Sequence, residues 1–307
     1  MSAFDAYCDL EGSIKGTVLL DEPMARHTSY RIGGPASLYI ECASIADINR
    51  CLQVLSDHAL PWCVAGKGSN LLVSDAGFAG AVLTLGKEFK YFSFPNEEQG
   101  ECLLIAGAGV MLSNLVQAAF KNGYSGLEFC VGLPGTFGGA LYMNAGSATE
   151  WMSSLVDSVT VLRPTQGLVR YEGNQLPWQY RSSGIPLGEL VVEGRLRVKQ
   201  GNLSSIRAKM EASLKRRKKT QPLTVPNAGS VFRNPPGGSA GQLIESLGLK
   251  GFSIGGARVS QVHANFIVNE GHATARDVLE VIVHVRQRVK EEYGQELQPE
   301  IRFVGFE

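Results

Sequence analysis

The chain of 307 residues lacks long apolar runs and has no excess of charge of either sign. No stretch reaches the roughly 18 consecutive apolar residues of a membrane helix, so we expect no membrane association. Lysine plus arginine and aspartate plus glutamate both number 29, which argues against an extended basic surface for nucleic acid. Hydrophobic residues still make up 44% of the chain, enough for a sizeable core.

Metal-binding and secretory signals are also missing. The 6 cysteines form no CxxC pair, and the 5 histidines show no ligand spacing such as HExxH, so we expect neither a metal site nor a disulfide framework. Residues 1–12 contain no basic segment followed by an apolar run, so we expect no secretory signal. Together these absences predict a cytoplasmic protein.

Two common nucleotide-binding motifs are absent. No glycine-rich segment ends in the GK[ST] of a Walker A motif, which argues against a P-loop ATPase. Gly66 and Gly68, like Gly107 and Gly109, are followed by a leucine where the third glycine of GxGxxG should stand. A Rossmann dehydrogenase therefore loses its main support in the sequence.

Glycine, in contrast, is abundant, with 36 residues that cluster in loops. The first loop is Gly66–Asn70, and the second is Gly132–Gly139, in which Pro134 fixes a turn and Thr136 offers a hydroxyl. Successive backbone N–H groups in such loops form concave donor sites for a phosphate or a pyrophosphate. The alternative interpretation is that these loops are ordinary tight turns. This alternative is stronger for either loop alone than for the two loops together.

Apolar spacing predicts a mixture of helices and strands, hence an α/β or α+β fold. Ser44–Leu60 is predicted helical, with Ser44 and Asp47 as a capping box. The last predicted helix begins with a second capping box, Thr274 and Asp277, and ends at Gly294. A helix is also predicted over 203–217. We place a domain boundary near residue 200, where the mixed pattern of strands and helices gives way to this helix.

Three further segments carry groups suited to chemistry. Arg181, in the segment Tyr-Arg-Ser-Ser, could hold a carboxylate through two parallel hydrogen bonds, although a surface arginine is the more common case. Ser230 lies between a small dipeptide and an apolar pair, as either a turn serine or a hydroxyl held at a site. Glu300 and Arg302 would share one face of a predicted strand over 300–305, as a salt bridge or as ligand-binding groups.

Taken in order, the motifs resemble the MurB family of UDP-N-acetylenolpyruvoylglucosamine reductases. The resemblance covers about residues 24 to 305 and depends on seven weak motifs in the family's order. They are TSYRIGG (28–34), GKGSNLLV (66–73), GLPGTFGGA (132–140), NAG (144–146), YRSS (180–183), AGSVFRNP (228–235) and PEIR (299–302).

The resemblance implies an α+β fold, with a two-lobe FAD-binding module of the PCMH/vanillyl-alcohol-oxidase type and a C-terminal α+β substrate domain. The implied divisions are FAD-binding lobes over 1–95 and 96–200 and a substrate domain over 201–307. FAD would be bound non-covalently, with NADPH as the co-substrate. The implied reaction is the reduction of UDP-N-acetylglucosamine enolpyruvate to UDP-N-acetylmuramate, a step in peptidoglycan synthesis, by a monomer.

The resemblance also implies roles for individual residues. Arg181 would orient and polarise the enolpyruvyl group, Ser230 would donate a proton, and Glu300 would be an acid near the same carbon. Lys218, Asn234 and Arg302 would contact the substrate. The remaining implied residues would bind the cofactor: Gly66, Lys67, Gly68, Ser69, Asn70, Leu71, Pro134, Gly135, Thr136, Gly138, Gly139, Ala140 and Asn144.

Two departures from the family pattern are visible. Little space separates Arg181 from the predicted strand at Leu190, so the chain resembles the shorter subtype that lacks a tyrosine-bearing loop. Ser147-Ala148-Thr149 replaces the usual Ala-Tyr-Gly. Two other interpretations stay open on the sequence: another PCMH-type FAD oxidase or dehydrogenase, and a non-catalytic protein that binds a nucleotide or a UDP-sugar.

Overall fold

The fold is of the α+β class, as predicted, and a computed structural model describes residues 2–94, 97–98, 101–147 and 149–306. The helices are α1 (Ala3–Leu10), α2 (Ile45–Asp57), α3 (Leu112–Lys121), α4 (Phe137–Tyr142), α5 (Leu203–Thr220), α6 (Ala240–Ser246) and α7 (Ala275–Tyr293). The strands are β1 (Thr17–Pro23), β2 (Pro35–Cys42), β3 (Trp62–Val64), β4 (Leu71–Val73), β5 (Phe78–Leu85), β6 (Phe92–Ser93), β7 (Glu97–Glu98), β8 (Glu101–Gly107), β9 (Tyr124–Ser125), β10 (Val156–Arg163), β11 (Gly167–Glu172), β12 (Leu190–Gln200), β13 (Ser253–Ile254), β14 (Ala257–Val259), β15 (Ile267–Asn269) and β16 (Arg302–Val304).

The chain forms two compact units that alternate along the sequence. The first comprises residues 1–20, 38–66 and 81–215, and the second comprises residues 21–37, 67–80 and 216–307. The predicted domain boundaries at 95/96 and 200/201 stay a prediction, and residues 95 and 96 themselves lie outside the described residues.

The first unit is built around an antiparallel sheet with the strand order β11-β10-β12-β8-β6. Its long central strand β12 is buried over its first three residues and from Val192 alternates buried with more exposed positions, so one face there supplies the core. Helix α4 packs closely on this strand at Gly194, where an added Cβ would stand 2.5 Å from Leu141 Cδ1. This close approach fixes the second glycine loop, which leads directly into α4, relative to the sheet.

The second unit combines the small antiparallel sheet β13-β14-β15 with the parallel pair β4 and β16. Helix α7 supplies its longest apolar stripe. The prediction for this helix is confirmed: Thr274 and Asp277 form a capping box, and Gly294 ends the helix with a φ of 64°. The buried stripe consists of Val278, Val281, Ile282, Val285 and Val289.

Three sequence-based predictions were wrong in part. Ser44 does cap α2, but Asp47 accepts hydrogen bonds from the backbone N–H groups of Lys15, Gly16 and Ala43 rather than completing a capping box. Helix α5 extends beyond 217 to Thr220, so the basic residues Lys215–Lys219 lie inside the helix. The last strand begins at Arg302 rather than at residue 300.

Among the helices of the described ranges, none combines the length and the apolar character that crossing a membrane requires.

Candidate active site

The two predicted glycine loops meet in the first unit, at Gly66 and Thr136. An ideal Cβ built on Gly66 would lie 2.4 Å from Thr136 Oγ1, a separation that real side chains do not adopt. Only glycine at position 66 therefore allows the start of the first loop to pack against the second loop. The loops form one structural feature rather than two unrelated turns.

Thr136 also organises the second loop. Its hydroxyl accepts a hydrogen bond from the backbone N–H of Gly139 at 3.3 Å and thereby caps α4. Gly138 lies tightly against β8's continuation, since an added Cβ would be 2.6 Å from Ala108 Cβ. The loop that contains Pro134, Gly135 and Thr136 is thus held on both sides.

Backbone N–H groups are the hydrogen-bond donors that this junction can offer to a ligand. The N–H groups of Phe137 and Gly138 bond to the carbonyls of Val110 and Ala108. Within the described residues, the N–H groups of Gly66, Gly135 and Thr136 donate to no protein acceptor. Backbone N–H groups without a protein acceptor, in two glycine-rich loops that touch, fit the phosphate oxygens of a dinucleotide.

The rest of the first loop, 67–71, belongs to the second unit. Gly68 has a φ of 63°, and an added Cβ would be 2.1 Å from the carbonyl oxygen of His27, so this position requires glycine. Asn70 links two other predicted site residues: its Nδ2 donates to the carbonyl oxygen of Glu300 at 3.2 Å, and its carbonyl accepts from the N–H of Arg302 at 2.9 Å.

Arg181 occupies a tight turn in the first unit. Gln179 and Ser182 exchange backbone hydrogen bonds of 2.9 and 3.1 Å, which leaves Tyr180 and Arg181 as the two central residues. Arg181 has a φ of 56°, a left-handed conformation that costs a non-glycine residue about 1–2 kcal/mol. A strained, half-buried arginine at a turn is consistent with a functional position rather than an ordinary surface charge.

The Arg181 guanidinium lies over two aromatic rings. Its Cζ is 5.3 Å from the ring centroid of Trp151 and 5.1 Å from that of Tyr180. These rings pack edge to face, with centroids 5.6 Å apart and an interplanar angle of 71°. Both distances fall within the range of cation–π attraction, so the rings restrict the arginine.

Asn144, predicted to contact the cofactor, is buried and bonds to protein on both sides. Its Nδ2 donates to the carbonyl oxygen of Gln179 at 3.0 Å, and its Oδ1 accepts from the N–H of Ser153 at 2.9 Å. The side chain therefore ties the Arg181 turn to the segment that follows Trp151. Its predicted contact with the cofactor stays a prediction.

Ser230 lies in an extended segment that the second unit holds from two directions. The carbonyl of Val231 accepts a hydrogen bond of 2.7 Å from the N–H of Glu300. The chain segments that carry Ser230 and Glu300 are therefore neighbours. On the other side, Asn265 bonds to both the N–H and the carbonyl of Phe232, at 2.9 and 2.8 Å. The described part of the chain holds no hydrogen-bond partner for the Ser230 hydroxyl, which leaves its proton available.

Glu300 and Arg302 differ in their environment, contrary to the prediction of a shared strand face. Glu300 precedes β16 and is buried, with a relative exposure of 9%, whereas Arg302 is exposed. The hydrogen bonds to Asn70 and Val231 hold the Glu300 backbone outside the regular strand.

Lys218 and Asn234, the other predicted substrate contacts, are both exposed residues of the second unit. Lys218 lies in the last turn of α5. Asn234 accepts a hydrogen bond from the N–H of Ala240, the first residue of α6. Their roles in binding the substrate stay predictions.

Two residues of this region were missed by the sequence analysis. Trp151 had no signal, because its contact with Arg181 depends on a turn 30 residues later. Asn265 had a weak signal, as an asparagine between apolar residues in the segment HANFIV. A buried amide in such a run needs hydrogen-bond partners, which indicates a structural clamp.

Comparisons with known proteins agree with this organisation. Residues 36–171 match the family described as FAD binding domain, and residues 221–304 match the family described as UDP-N-acetylenolpyruvoylglucosamine reductase, C-terminal domain. The first match confirms the predicted FAD-binding module. The second covers the segments of Ser230 and Glu300.

Whole-chain relatives and a solved structure give the same result. The UDP-N-acetylenolpyruvoylglucosamine reductase of Heliobacterium modesticaldum is 44% identical over 95% of this chain and 92% of its own length. That of Anoxybacillus flavithermus is 41% identical over 94% and 95%, respectively. The crystal structure of MurB from Thermus caldophilus superposes with a TM-score of 0.81 and 35% identity, covering 95% of this chain and 99% of that one. The chain therefore belongs to the UDP-N-acetylenolpyruvoylglucosamine reductase family, MurB.

Proposed function

We propose that this chain reduces UDP-N-acetylglucosamine enolpyruvate to UDP-N-acetylmuramate, with FAD as its bound cofactor and NADPH as the electron donor. The product is a precursor of peptidoglycan. Family membership over nearly the whole chain supports the proposal. The observation that carries it on the structural side is the junction of Gly66 and Thr136, which fits a dinucleotide's phosphates.

Residues of both glycine loops are proposed to hold FAD. The backbone N–H groups of Gly66, Gly135 and Thr136 would bind pyrophosphate oxygens. The remaining residues of the two segments, 67–71 and 138–140 with Pro134, would shape the surface around the cofactor. The chemistry that bound FAD supplies is hydride transfer, first from NADPH and then to the enolpyruvyl double bond.

Arg181 is proposed to bind the carboxylate of the enolpyruvyl group. When hydride adds to one carbon of the double bond, negative charge builds on its neighbour and spreads into the carboxylate. A fixed guanidinium stabilises this charge as it develops, and a planar fork matches a carboxylate better than a point charge does. The aromatic contacts of Arg181 restrict its motion before substrate arrives.

Ser230 is proposed to donate the proton that completes the reduction. The carbon next to the carboxylate becomes basic after hydride addition, so even a weakly acidic hydroxyl can protonate it. The backbone around Ser230 is held by the carbonyl of Val231 and by Asn265 at Phe232. A serine on a segment that is already fixed keeps its hydroxyl group in place when the substrate binds.

Glu300 is proposed to act near the same carbon, and three cationic or polar residues are proposed to bind the substrate. The burial of Glu300 keeps its carboxyl group away from bulk water. The exposed side chains of Lys218, Asn234 and Arg302 are available to phosphate or sugar oxygens. We also propose that the enzyme works as a monomer in the cytoplasm.

The test uses the flavin as a reporter. The purified protein is expected to be yellow, to lose its flavin absorbance with NADPH under anaerobic conditions, and to regain it when UDP-N-acetylglucosamine enolpyruvate is added. UDP-N-acetylglucosamine, which lacks the double bond, is the matched control and should restore nothing. A colourless protein that cannot be reconstituted with FAD, or a reduced protein that the enolpyruvyl compound leaves reduced, would refute the proposal.

A further inference from the structure

Trp151 is a large side chain beside a proposed catalytic group, and neither the glycine loops nor the proton-transfer step uses it. It follows the Ser147-Ala148-Thr149 segment that replaces the usual family sequence, of which Ala148 lies outside the described residues. Its ring lies under the Arg181 guanidinium, with Cζ at 5.3 Å from the ring centroid.

The backbone around Trp151 is fixed independently of Arg181. Trp151 pairs with Gly146 in an isolated β-bridge, and an added Cβ on Gly146 would stand 2.7 Å from Trp151 Cε3. The N–H of Met152 bonds to the carbonyl of Ala145 at 2.8 Å. The indole therefore has a defined place before any ligand binds.

The turn that carries Arg181 is fixed to the same framework by Asn144. One carboxamide holds both parts, through Gln179 on the Arg181 side and Ser153 on the Trp151 side. Because Asn144 is buried, with a relative exposure of 4%, these bonds are shielded from competing water. The indole ring and the guanidinium thus lie on two short chain segments, and Asn144 anchors both segments.

The two aromatic contacts limit the conformations that Arg181 can adopt before a ligand binds. An arginine side chain loses substantial rotamer freedom when it is immobilised, and an arginine held against two rings has lost part of it before the substrate arrives. The contact therefore lowers the conformational cost of binding a carboxylate to Arg181.

We propose that Trp151 is a positioning residue that restricts the Arg181 guanidinium to one place, so that less side-chain freedom is lost when the substrate carboxylate binds. Tyr180 supplies the second ring, and Asn144 fixes the two segments. This inference rests on the proposed function, in which Arg181 acts on the enolpyruvyl group.

The test separates the two half-reactions by stopped-flow absorbance of the holoenzyme. Trp151→Leu and Trp151→Met remove the aromatic face, and Trp151→Phe retains one. We expect the aliphatic variants to slow reoxidation of reduced enzyme by UDP-N-acetylglucosamine enolpyruvate about tenfold, with reduction by NADPH within about twofold of the parent and Phe within about threefold. Flavin content and circular dichroism verify that each variant folds.

A double-mutant cycle decides whether Trp151 acts through Arg181. In an Arg181→Ala background, Trp151→Met should change reoxidation less than about twofold, because nothing remains to be positioned. An undiminished effect in that background, equal losses in both half-reactions, or parental rates in both aliphatic variants would overturn the inference while leaving the proposed function intact. Parental reoxidation in Arg181→Ala alone would instead refute the proposed role of Arg181, and the inference with it.

Discussion

Asn265 holds both polar groups of the Phe232 backbone, accepting from its N–H at 2.9 Å and donating to its carbonyl at 2.8 Å. The same asparagine uses its own carbonyl to accept from Val231 at 2.8 Å. One buried residue thus sets the course of the chain immediately after Ser230.

Replacing this amide should destabilise the second unit. Asn265→Asp retains the acceptor but loses the donor and buries a carboxylate, so we expect the free energy of unfolding at pH 7 to fall by about 2–4 kcal/mol. Asn122→Asp, which removes a similar amide-to-carbonyl bond at the exposed end of α3, is the control and should cost less than about 1 kcal/mol. Urea unfolding measures both. Equal losses would show that the clamp has no special role.

Gly66→Ala should weaken FAD binding. The added Cβ would stand 2.4 Å from Thr136 Oγ1, and overpacking of this kind costs about 1–3 kcal/mol. We therefore expect the dissociation constant of FAD to rise about tenfold or more, measured by flavin fluorescence during reconstitution of the apoprotein. Gly238→Ala, where the nearest atom would be 3.4 Å away, is the matched control and should bind FAD as the parent does. Parental affinity in the Gly66 variant would contradict the assignment.

Ser230→Ala should separate the half-reactions. Reduction of the flavin by NADPH should stay near the parental rate, whereas reoxidation by UDP-N-acetylglucosamine enolpyruvate should slow by about 100-fold or more, since proton transfer is removed. Stopped-flow absorbance measures both steps. Ser205→Ala, an exposed serine on α5, should leave both unchanged. If both half-reactions fall equally in the Ser230 variant, this serine is structural rather than a proton donor.

Arg181→Lys should also impair reoxidation, although the charge is retained. A lysine ammonium lacks the planar fork and stacks less well on the rings of Trp151 and Tyr180, so we expect a loss of about tenfold to 100-fold. Arg170→Lys, at an exposed position of β11, is the control and should have no effect. A lysine variant with parental reoxidation kinetics would show that charge alone suffices.

The stabilisation that Asp277 gives to α7 should depend on pH. Hydrogen bonds from the Thr274 backbone and from Gly256 lower the pKa of this carboxyl below its usual 3.8. The folded-state pKa is thus below the unfolded one, so the stabilisation is present above about pH 4 and is lost as the pH falls through the folded-state value. Asp277→Asn should cost about 1 kcal/mol at pH 7, and this cost should decrease as the pH falls below about 4.

Urea unfolding at several pH values measures this difference. Glu280→Gln, which removes an exposed ion pair with Arg276 on the same helix, is the control and should change stability by less than about 0.5 kcal/mol at any pH. A cost for Asp277→Asn that stays constant down to pH 2 would contradict the ionic origin of the effect.

Local features were predictable from the sequence, and features that depend on distant segments were not. The capping box of Thr274 and Asp277 was predicted because all its atoms lie within three residues. The similar pair Ser44 and Asp47 was half right, since Asp47 has backbone donors 31 and 32 residues away at Gly16 and Lys15. Hydrophobic periodicity alone does not show that distant backbone N–H groups will bind the carboxylate of Asp47 in place of the N–H of its own N-cap.

The candidate site shows the same division. The family motifs predicted Gly66, Thr136, Arg181, Ser230 and Glu300, and spacing alone did not show how they are held. The strand prediction for residues 300–305 placed Glu300 wrongly because Val231, 69 residues earlier, takes its N–H out of the regular ladder.

The parallel pairing of β4 with β16 has a consequence for biosynthesis. Leu71 faces Arg302 and Val73 faces Val304 across this ladder, so a strand made early by the ribosome has no partner until some 230 residues more have been added. The unit that carries Ser230 therefore cannot mature stepwise during translation, and its nascent form exposes an unpaired edge throughout. We expect chains arrested before residue 302 to be degraded faster than full-length chains, because this edge stays unpaired in them.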